Sequence, residues 1–306
     1  MTSNEQLTSE QSLAANGKSF HWARRFLGAR MGGDAARLYA FCRLLDDMAD
    51  GDIENGPARL ADIRADLLAG RHGADPALQA FLPLMAEKHF PPDVLIALID
   101  GLLEDQEDVV SLADEAALLR YAYRVAGTVG LLMCHVLDCH SPSARAHAID
   151  LGIGMQLTNI ARDVLEDAQM NRRYLPGSWV GDADPETILA AARDPEGSVA
   201  KKVREAVARL LLLADRFYAS GAEGYRYLPW RAHMSIAVAA KVYRQIGVQL
   251  AVADFAWHDG RQVTSKGTKL RCSVMALAGL TGRLYPSRSQ HDTRLHAALQ
   301  GLPYVV

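Results

Sequence analysis

DDMAD at residues 46–50 and NIARDVLED at residues 159–167 are the two stretches that decide the fold and the chemistry of this 306-residue chain. Each lies in an apolar segment with helical periodicity, where an unpaired carboxylate is unfavourable. On a helix, the outer aspartates of the first stretch share one face, as do the two aspartates of the second. Like charges at this spacing repel. Two such pairs on separate helices therefore indicate a shared cation that prefers oxygen ligands, such as Mg²⁺.

Polar residues extend each acidic pair into a stripe along one helix face. The first stripe consists of Tyr39, Arg43, Asp46 and Asp50. The second stripe consists of Gln156, Asn159, Asp163 and Asp167. Apolar stripes run beside both, and Gly152 and Gly154 suit the close approach of a second helix or a ligand. The residues alone leave two interpretations open: a metal–diphosphate site, or two solvated faces of amphipathic helices.

The composition, 49% apolar and 23% charged, is that of a soluble globular protein able to bury a large core. A net charge of -3 and a pI of about 6.4 argue against nucleic-acid binding. The N-terminus is polar and acidic, unlike a signal peptide, and no apolar run approaches the roughly 18 residues of a membrane span. These features predict a cytoplasmic protein whose cysteines are reduced thiols.

Two cysteine–histidine pairs, Cys134-His135 and Cys139-His140, resemble metal ligands at first sight. Their spacing matches no common zinc pattern. We therefore interpret them as thiols and imidazoles on or near a helix end.

Helical periodicity runs through almost the whole chain, whereas strand alternation and hairpin signals are lacking. We predict an all-α fold with helices at 10–30, 34–50, 57–70, 76–86, 91–108, 114–138, 142–168, 196–220, 231–257 and 268–281. Asp34 is predicted to cap the second helix. A long loop with one short helix is expected from about 169 to 197. Since no linker divides the chain, we expect a flexible N-terminal tail at 1–10, one helical domain at 11–290 and a C-terminal tail at 291–306.

Four segments in order resemble the motifs of the squalene/phytoene synthase family. They are Lys18-Ser19-Phe20, the run from Tyr39 to Asp50, the run from Tyr123 to Gly130, and the run from Gln156 to Asp167 followed by Arg173-Tyr174-Leu175-Pro176. The resemblance spans most of the chain, and several motifs in order are far more specific than one. It favours the metal–diphosphate interpretation over the solvated faces.

This resemblance implies an isoprenoid-synthase fold, a single helical domain around a central cavity. It implies head-to-head condensation of two prenyl diphosphates with Mg²⁺, or with Mn²⁺ in its place. The implied metal ligands are Asp46, Asp47, Asp50, Asn159, Asp163 and Asp167. The implied catalytic residues are Asp46, Asp50, Tyr123, Asp163 and Asp167. The implied substrate contacts are Lys18, Ser19, Tyr39, Arg43, Gln156, Arg162, Arg173, Tyr243 and Arg261.

The chain departs from the family at Asn16 and Gly17: many members read Ser-Lys-Ser-Phe, some with a histidine just before it, whereas this chain has Asn-Gly ahead of Lys18-Ser19-Phe20. The closest resemblance is to bacterial phytoene synthases that use geranylgeranyl diphosphate. A farnesyl diphosphate-using synthase that makes presqualene diphosphate, squalene or dehydrosqualene is the main alternative, since the sequence does not measure cavity depth. A non-catalytic assembly factor is a second alternative, although both aspartate motifs are intact.

The resemblance also bears on cofactors and partners. NADPH is not expected, because phytoene formation is not reductive. Nucleic acid is not expected as a partner. Peripheral contact with the inner face of the membrane and association with other carotenoid-pathway enzymes are both left open, and Lys266 and Lys269 form a basic surface suited to anionic lipid.

Overall fold

The computed structural model describes residues 18–280 and 290–305, with side chains from Phe20 onward. The predicted N-terminal tail, the start of the first predicted helix, and Asn16 and Gly17 lie outside the described residues. So do the side chains of Lys18 and Ser19, two of the predicted substrate contacts.

The described chain is almost entirely helical, as predicted. Its α-helices are α1 Lys18–Arg24, α2 Ala29–Ala49, α3 Gly56–Leu68, α4 Pro76–Lys88, α5 Pro92–Glu104, α6 Glu115–Ala122, α7 Thr128–Val136, α8 Pro142–Arg162, α9 Val164–Gln169, α10 Gly177–Val180, α11 Pro185–Ala191, α12 Ser198–Glu223, α13 Trp230–Val252 and α14 Lys266–Gly279. A π-helical turn, Tyr123–Gly127, joins α6 to α7, and 3-10 turns occur at Gly224–Tyr227 and Thr293–Leu299.

Three predicted helices are interrupted in the structure. The first is broken at Gly28, whose φ of 82° suits glycine. The helix predicted at 114–138 contains the π-helical turn, and the one predicted at 142–168 breaks at Asp163. The long loop after 169 contains two short helices instead of the one predicted. At its start, Arg172–Arg173 pairs with Val110–Ser111 in a parallel sheet of two residues per strand.

Asp34 does not cap a helix, so that prediction is wrong. The helix starts earlier, at Ala29, because the chain turns at Gly28. Asp34 therefore lies one turn inside α2, where its buried carboxylate forms an ion pair with Lys88 Nζ at 2.7 Å. Asp34, which the sequence suggested as a helix cap, thus links α2 to the end of α4 through its ion pair with Lys88.

Helix α8 lies at the centre of the fold and packs against α7, α12, α13 and the π-helical turn. Its glycines permit this. A Cβ atom at Gly152 would lie 2.3 Å from the carbonyl oxygen of Ala126 in the π-helical turn, and one at Gly154 would lie 3.3 Å from the backbone nitrogen of Tyr218 in α12. The predicted close approach of a second helix at these glycines is confirmed.

Residues 290–305, which we call the C-terminal clasp, pack against the helical body. His291 Nε2 and His296 Nε2 lie 2.8 and 2.9 Å from the two oxygens of the Asp150 carboxylate. Ser220 Oγ donates to the same carboxylate. Asp150 and His296 are fully buried, so the clasp supplies hydrogen bonds to a charge that has no access to water.

Further contacts join the clasp to α6 and the π-helical turn. Arg120 Nη1 donates to the carbonyl oxygens of Ala298 and Gln300, each at 3.1 Å. The hydroxyl of Tyr123 donates to the carbonyl oxygen of Pro303. The segment predicted as a C-terminal tail is therefore bonded to the part of the domain that carries the predicted central motif.

Candidate active site

A cavity of about 470 Å³ opens between α1, α2, α7, α8 and α13. Its walls are mainly apolar side chains. Polar side chains are contributed by the second halves of α2 and α8 and by neighbouring segments. Those near the two motifs are Tyr39, Arg43, Asp46, Asp105, Tyr121, Gln156, Asn159 and Tyr243, and Arg24, His147 and Ser235 lie elsewhere on the wall. Asp46 of the first motif and Asn159 of the second thus border the same cavity, whereas Asp47, Asp50, Asp163 and Asp167 do not line it.

The first aspartate motif forms the end of α2 and is held by two arginines. Arg43 bonds to Asp46 at 2.7 Å and to Asp47 at 2.5 Å, because residues three and four apart share a helix face. Arg172 donates to Asp50 at 2.9 Å. Burial and the neighbouring carboxylates outweigh Arg43 and raise the pKa of Asp46 to about 6. This cluster therefore has more negative charge than its arginines neutralise.

The second motif spans the break between α8 and α9. Asp163 ends α8, and both of its carboxylate oxygens accept hydrogen bonds from Arg162 and from Arg261, at 2.5 to 2.9 Å. Asp167 lies one turn further on, and within the described chain no cationic side chain forms an ion pair with it. Burial, followed by repulsion from Asp163, raises the pKa of Asp167 to about 8.

Asp105, which sequence reasoning missed, lies between the two motifs. It follows α5 and interacts electrostatically with both Asp46 and Asp167. Tyr121 and Tyr174 donate to its two oxygens at 2.8 and 2.7 Å, and burial nevertheless raises its pKa. The sequence around Asp105 does not distinguish it from an exposed aspartate at a helix end, because only the fold shows that this end of α5 is buried.

The predicted aromatic and amide contacts lie on the cavity wall. Phe20 lies between Tyr39 and Tyr243, with ring centroids 6.2 and 5.1 Å away. Gln156 Oε1 accepts a hydrogen bond from the Asn159 amide nitrogen at 3.3 Å. Together these side chains form a wall of ring faces and amide groups beside the acidic end of the cavity.

Tyr123, a predicted catalytic residue, does not line the cavity. Its ring is fully buried and its hydroxyl bonds to the C-terminal clasp. The π-helical turn changes the angular spacing of residues, so the motif presents a different set of side chains to the cavity than a regular α-helix would. Tyr121, Val125, Ala126 and Val129 line it instead.

Arg173, a predicted substrate contact, also faces away from the acidic groups. Its guanidinium donates to the carbonyl oxygens of Leu112 and Leu175 at 3.0 and 2.8 Å. Arg172 contacts Asp50 in its place. The two arginines form the two-residue strand, where successive side chains point to opposite faces, so only one of them can reach the site. Arg172 therefore contacts the first motif directly, and the role of Arg173 as a substrate contact stays a prediction.

The donor set fits a hard divalent cation. It consists of carboxylate and amide oxygens, the ligands that Mg²⁺ prefers. Asn159 Oδ1 is buried and, within the described chain, receives no hydrogen bond. Burial, together with the neighbouring carboxylates, raises the pKa values of Asp46 and Asp167, so a bound cation would stabilise their ionised forms.

Residues 13–268 match the model of the squalene/phytoene synthase family. The chain belongs to the squalene/phytoene synthase family. The family that the motifs predicted is confirmed, and so is the identification of the chain as a prenyltransferase. Prenyl diphosphates are substrates consistent with this family, and enzymes of this class generally use a divalent metal.

Curated relatives in the same family match most of the chain. A phytoene synthase from Rhodobacter capsulatus is 39% identical over 261 residues, 82% of this chain and 75% of the relative. A phytoene synthase from Pseudescherichia vulneris is 35% identical and covers 91% of this chain and 92% of its own. A 15-cis-phytoene synthase from a Paracoccus species is also 35% identical, over 86% and 88% of the two chains.

Solved structures support the predicted isoprenoid-synthase fold. A dehydrosqualene synthase in complex with a ligand superposes with a TM-score of 0.75 at 27% identity, over 90% of this chain and 95% of the other. The squalene synthase HpnC from Alicyclobacillus acidocaldarius has a TM-score of 0.68 at 19% identity, over 81% and 93% of the two chains. The latter shows likeness of fold alone.

Proposed function

We propose that this enzyme joins two geranylgeranyl diphosphates head to head, through a cyclopropyl diphosphate intermediate, to make phytoene for carotenoid biosynthesis. The names of its relatives support this function, and the depth of the cavity is the structural observation that carries it. The cavity follows α8 from Asn159 to Ala144, a rise of about 22 Å at 1.5 Å per residue.

This depth favours the longer substrate. An extended geranylgeranyl chain is roughly 19 Å long and a farnesyl chain roughly 14 Å, at about 1.25 Å of advance per carbon–carbon bond. With the diphosphate at the acidic end, the longer chain reaches Cys139 and Ala144 at the inner end. A farnesyl chain would leave that end empty, and unfilled apolar space forfeits van der Waals contacts.

Mg²⁺ would be held by carboxylate and amide oxygens of both motifs. The proposed ligands are Asp46, Asp47, Asp50, Asn159, Asp163 and Asp167. When bound, the metal would supply positive charge to the diphosphate leaving group and replace the arginines that now hold these acids. Arg43, Arg162 and Arg261 would then be free to bind diphosphate oxygens, and Arg172 would keep Asp50 in position.

The cavity wall is suited to the carbocations that follow ionisation. Its apolar side chains exclude water, which would otherwise quench a cation. The faces of Phe20, Tyr39 and Tyr243 offer cation–π stabilisation. Holding both prenyl chains along α8 would orient the cation toward the double bond of the second substrate.

We also propose that α14 docks this cytoplasmic enzyme on the inner face of the membrane. Leu270, Val274, Met275 and Leu277 are between 54% and 61% exposed, and Lys266 and Arg271 lie beside them. Apolar side chains flanked by basic ones complement an anionic bilayer surface, where the apolar product could leave. Among the described residues, no helix is long and apolar enough to cross a membrane.

Vesicle flotation tests this docking surface. The protein should float with phosphatidylglycerol vesicles and not with neutral phosphatidylcholine vesicles. The double variant L270E/V274E should lose this binding, whereas L68E, on an exposed leucine of α3, should retain it. Equal flotation of wild type and L270E/V274E would contradict the assignment.

Product analysis tests the proposed activity. Purified protein with Mg²⁺ is given geranylgeranyl and farnesyl diphosphate in separate assays, with and without NADPH, and extracts are analysed by chromatography and mass spectrometry. We expect phytoene from geranylgeranyl diphosphate alone, and none after EDTA treatment. A triterpenoid product from farnesyl diphosphate would assign the enzyme to the squalene or dehydrosqualene branch. No turnover of either substrate would favour the non-catalytic alternative.

A further inference from the structure

Helix α7 ends in a Schellman motif that brings two cysteines together. The backbone N–H of Cys139 donates to the carbonyl oxygen of Cys134 at 2.9 Å, and that of Asp138 donates to His135 at 3.4 Å. Asp138 has the left-handed φ of 53° that this motif requires. In a Schellman motif, the side chains at these two outer positions contact each other. Here both side chains are thiols, and Cys134 is hydrogen-bonded to the sulfur of Cys139.

Both thiols line the inner end of the cavity. Each cysteine is 7% exposed, so the cavity is the route by which a small molecule would reach them. Cys139 Sγ also lies 3.6 Å from the carbonyl oxygen of Tyr227. Cys42 lines the same cavity from α2, beside the acidic end. The cavity therefore contains a paired site and a single thiol that differ in their surroundings.

The two sites differ in thiolate character. The hydrogen bond from Cys134 lowers the pKa of Cys139, which favours its thiolate over that of Cys134. Burial raises the pKa of Cys42 to about 12, which leaves it protonated. Because the thiolate is the reactive form, Cys139 is the nucleophile of the pair.

We propose that Cys134 and Cys139 form an oxidation site, in which an organic hydroperoxide entering the apolar cavity converts the two thiols to an intrachain disulfide. The Cys139 thiolate attacks the terminal peroxide oxygen, the O–O bond breaks, and the alcohol leaves with a proton. The Cys134 sulfur then attacks the sulfenic sulfur, an S–S bond forms, and water leaves with the Cys134 proton. Two thiols and one hydroperoxide thus give a disulfide, an alcohol and water.

Oxidation of this cysteine pair would depend on whether the cavity contains a prenyl chain. A bound prenyl chain long enough to reach Ala144 and Cys139 would cover the thiols, whereas the free enzyme would expose them to peroxide; this expectation rests on the proposed function. The inner wall of the cavity would then be oxidised when substrate is scarce and protected when it is abundant.

Alkylation and mass spectrometry test the site. The full-length protein is treated with cumene hydroperoxide, the peroxide is removed, and the protein is unfolded in guanidinium chloride, alkylated with iodoacetamide and digested with trypsin. One tryptic peptide, 125–145, contains both cysteines of the pair, and another, 38–43, contains Cys42. We expect the first peptide to lose two hydrogens and accept no alkyl group, and dithiothreitol to restore both alkylation sites. The second peptide should remain alkylated in the same sample.

Two comparisons sharpen this test. In C134S, whose hydroxyl can still donate to Cys139, Cys139 should be trapped by dimedone as a sulfenic acid and form no disulfide, and C42A should oxidise like the wild type. Geranylgeranyl thiodiphosphate should slow disulfide formation at least several-fold. A pair that stays fully alkylatable, or that oxidises no faster than Cys42, would overturn the proposal. Because oxidation needs no turnover, this outcome is independent of the product assay.

Discussion

Asp150 and Asp167 lie on the consecutive helices α8 and α9, and their surroundings shift their pKa values in opposite directions. Burial raises the pKa of Asp150, but hydrogen bonds from His291, His296 and Ser220 outweigh it and hold the pKa below its ordinary value. Burial and neighbouring carboxylates raise the pKa of Asp167 to about 8. The side chain of Asp150 is fully satisfied by protein donors, whereas that of Asp167 is not.

This contrast separates a structural acid from a functional one. A buried carboxylate with three donors stabilises the fold and has no need of a ligand. A carboxylate crowded by others and left without donors is destabilising until a cation arrives, which is the usual condition of a metal ligand in its metal-free state. Mutation of the acids of the two motifs should therefore lower activity, whereas mutation of Asp150 should lower stability.

The largest effect should come from the acidic end of the cavity. Asp50→Ala removes a proposed metal ligand and relieves like-charge repulsion, so the fold should be retained while kcat/KM falls by roughly 10³-fold or more. Asp52→Ala, at an exposed acid two residues away, is the matched control and should keep its activity. Steady-state assays with circular dichroism measure both, and full activity in Asp50→Ala would remove the basis of the site assignment.

Asp150→Asn should have the largest effect on stability. The amide cannot accept both imidazole hydrogen bonds, so the free energy of unfolding should fall by about 3 kcal/mol. Urea denaturation measures this, with the exposed Asp62→Asn as control. A loss under about 0.5 kcal/mol, the range of ordinary surface changes, would show that the clasp contributes little.

The effect of Asp150→Asn on stability should depend on pH. A carboxyl group whose pKa is lower in the folded than in the unfolded state stabilises the fold above its unfolded pKa, near 3.9. That contribution is lost as the pH falls through the folded pKa. The stability of wild type and Asp150→Asn should therefore differ most near pH 7 and converge below about pH 4. A difference that grows in acid would contradict the assigned direction.

Arg172 and Arg173 offer a comparison within one strand. Arg172→Ala should lower kcat/KM by roughly 10²-fold, because it removes the contact that positions Asp50. Arg173→Ala should instead lower stability, because the carbonyl oxygen of Leu175 loses the guanidinium donor and that of Leu112 keeps only the N–H of Gly177. Kinetics and denaturation of both variants test this. The reverse assignment of effects would mean that the predicted role of Arg173 was right.

Asp167→Asn should give the smallest effect on stability, and in the opposite direction from Asp150→Asn. In metal-free protein, replacing a carboxyl group whose ionised form is disfavoured by burial and by neighbouring carboxylates should raise the free energy of unfolding by about 1 kcal/mol, while activity falls. Urea denaturation in EDTA measures the change. Destabilisation comparable to that of Asp150→Asn would show that the carboxyl group of Asp167, like that of Asp150, stabilises the fold.

Local sequence patterns predicted the helices and both aspartate motifs because periodicity and i, i+4 spacing are local properties. The missed residues depend on contacts between distant segments. His296 and Asp150 meet only after the chain has folded back on itself, and Asp105 lies between the two motifs only because α5 ends there. Tyr123 and Arg173 were predicted from the family resemblance, and their roles stay predictions. That the Tyr123 hydroxyl bonds to the clasp and that Arg172 contacts Asp50 could not be foreseen, because a π-helical turn and a two-residue strand leave no distinct local pattern.

The most direct test of the central claim, that both aspartate motifs serve one metal–diphosphate site, is thermal unfolding with Mg²⁺ and inorganic diphosphate. For the wild type, Tm should rise with the two together and little with either alone, because ligands that bind only the folded state stabilise it. Asp50→Ala and Asp167→Asn should each abolish this rise, and Asp150→Asn should keep it from a lower starting Tm. A rise that survives in either motif variant would show that the two motifs do not share one site.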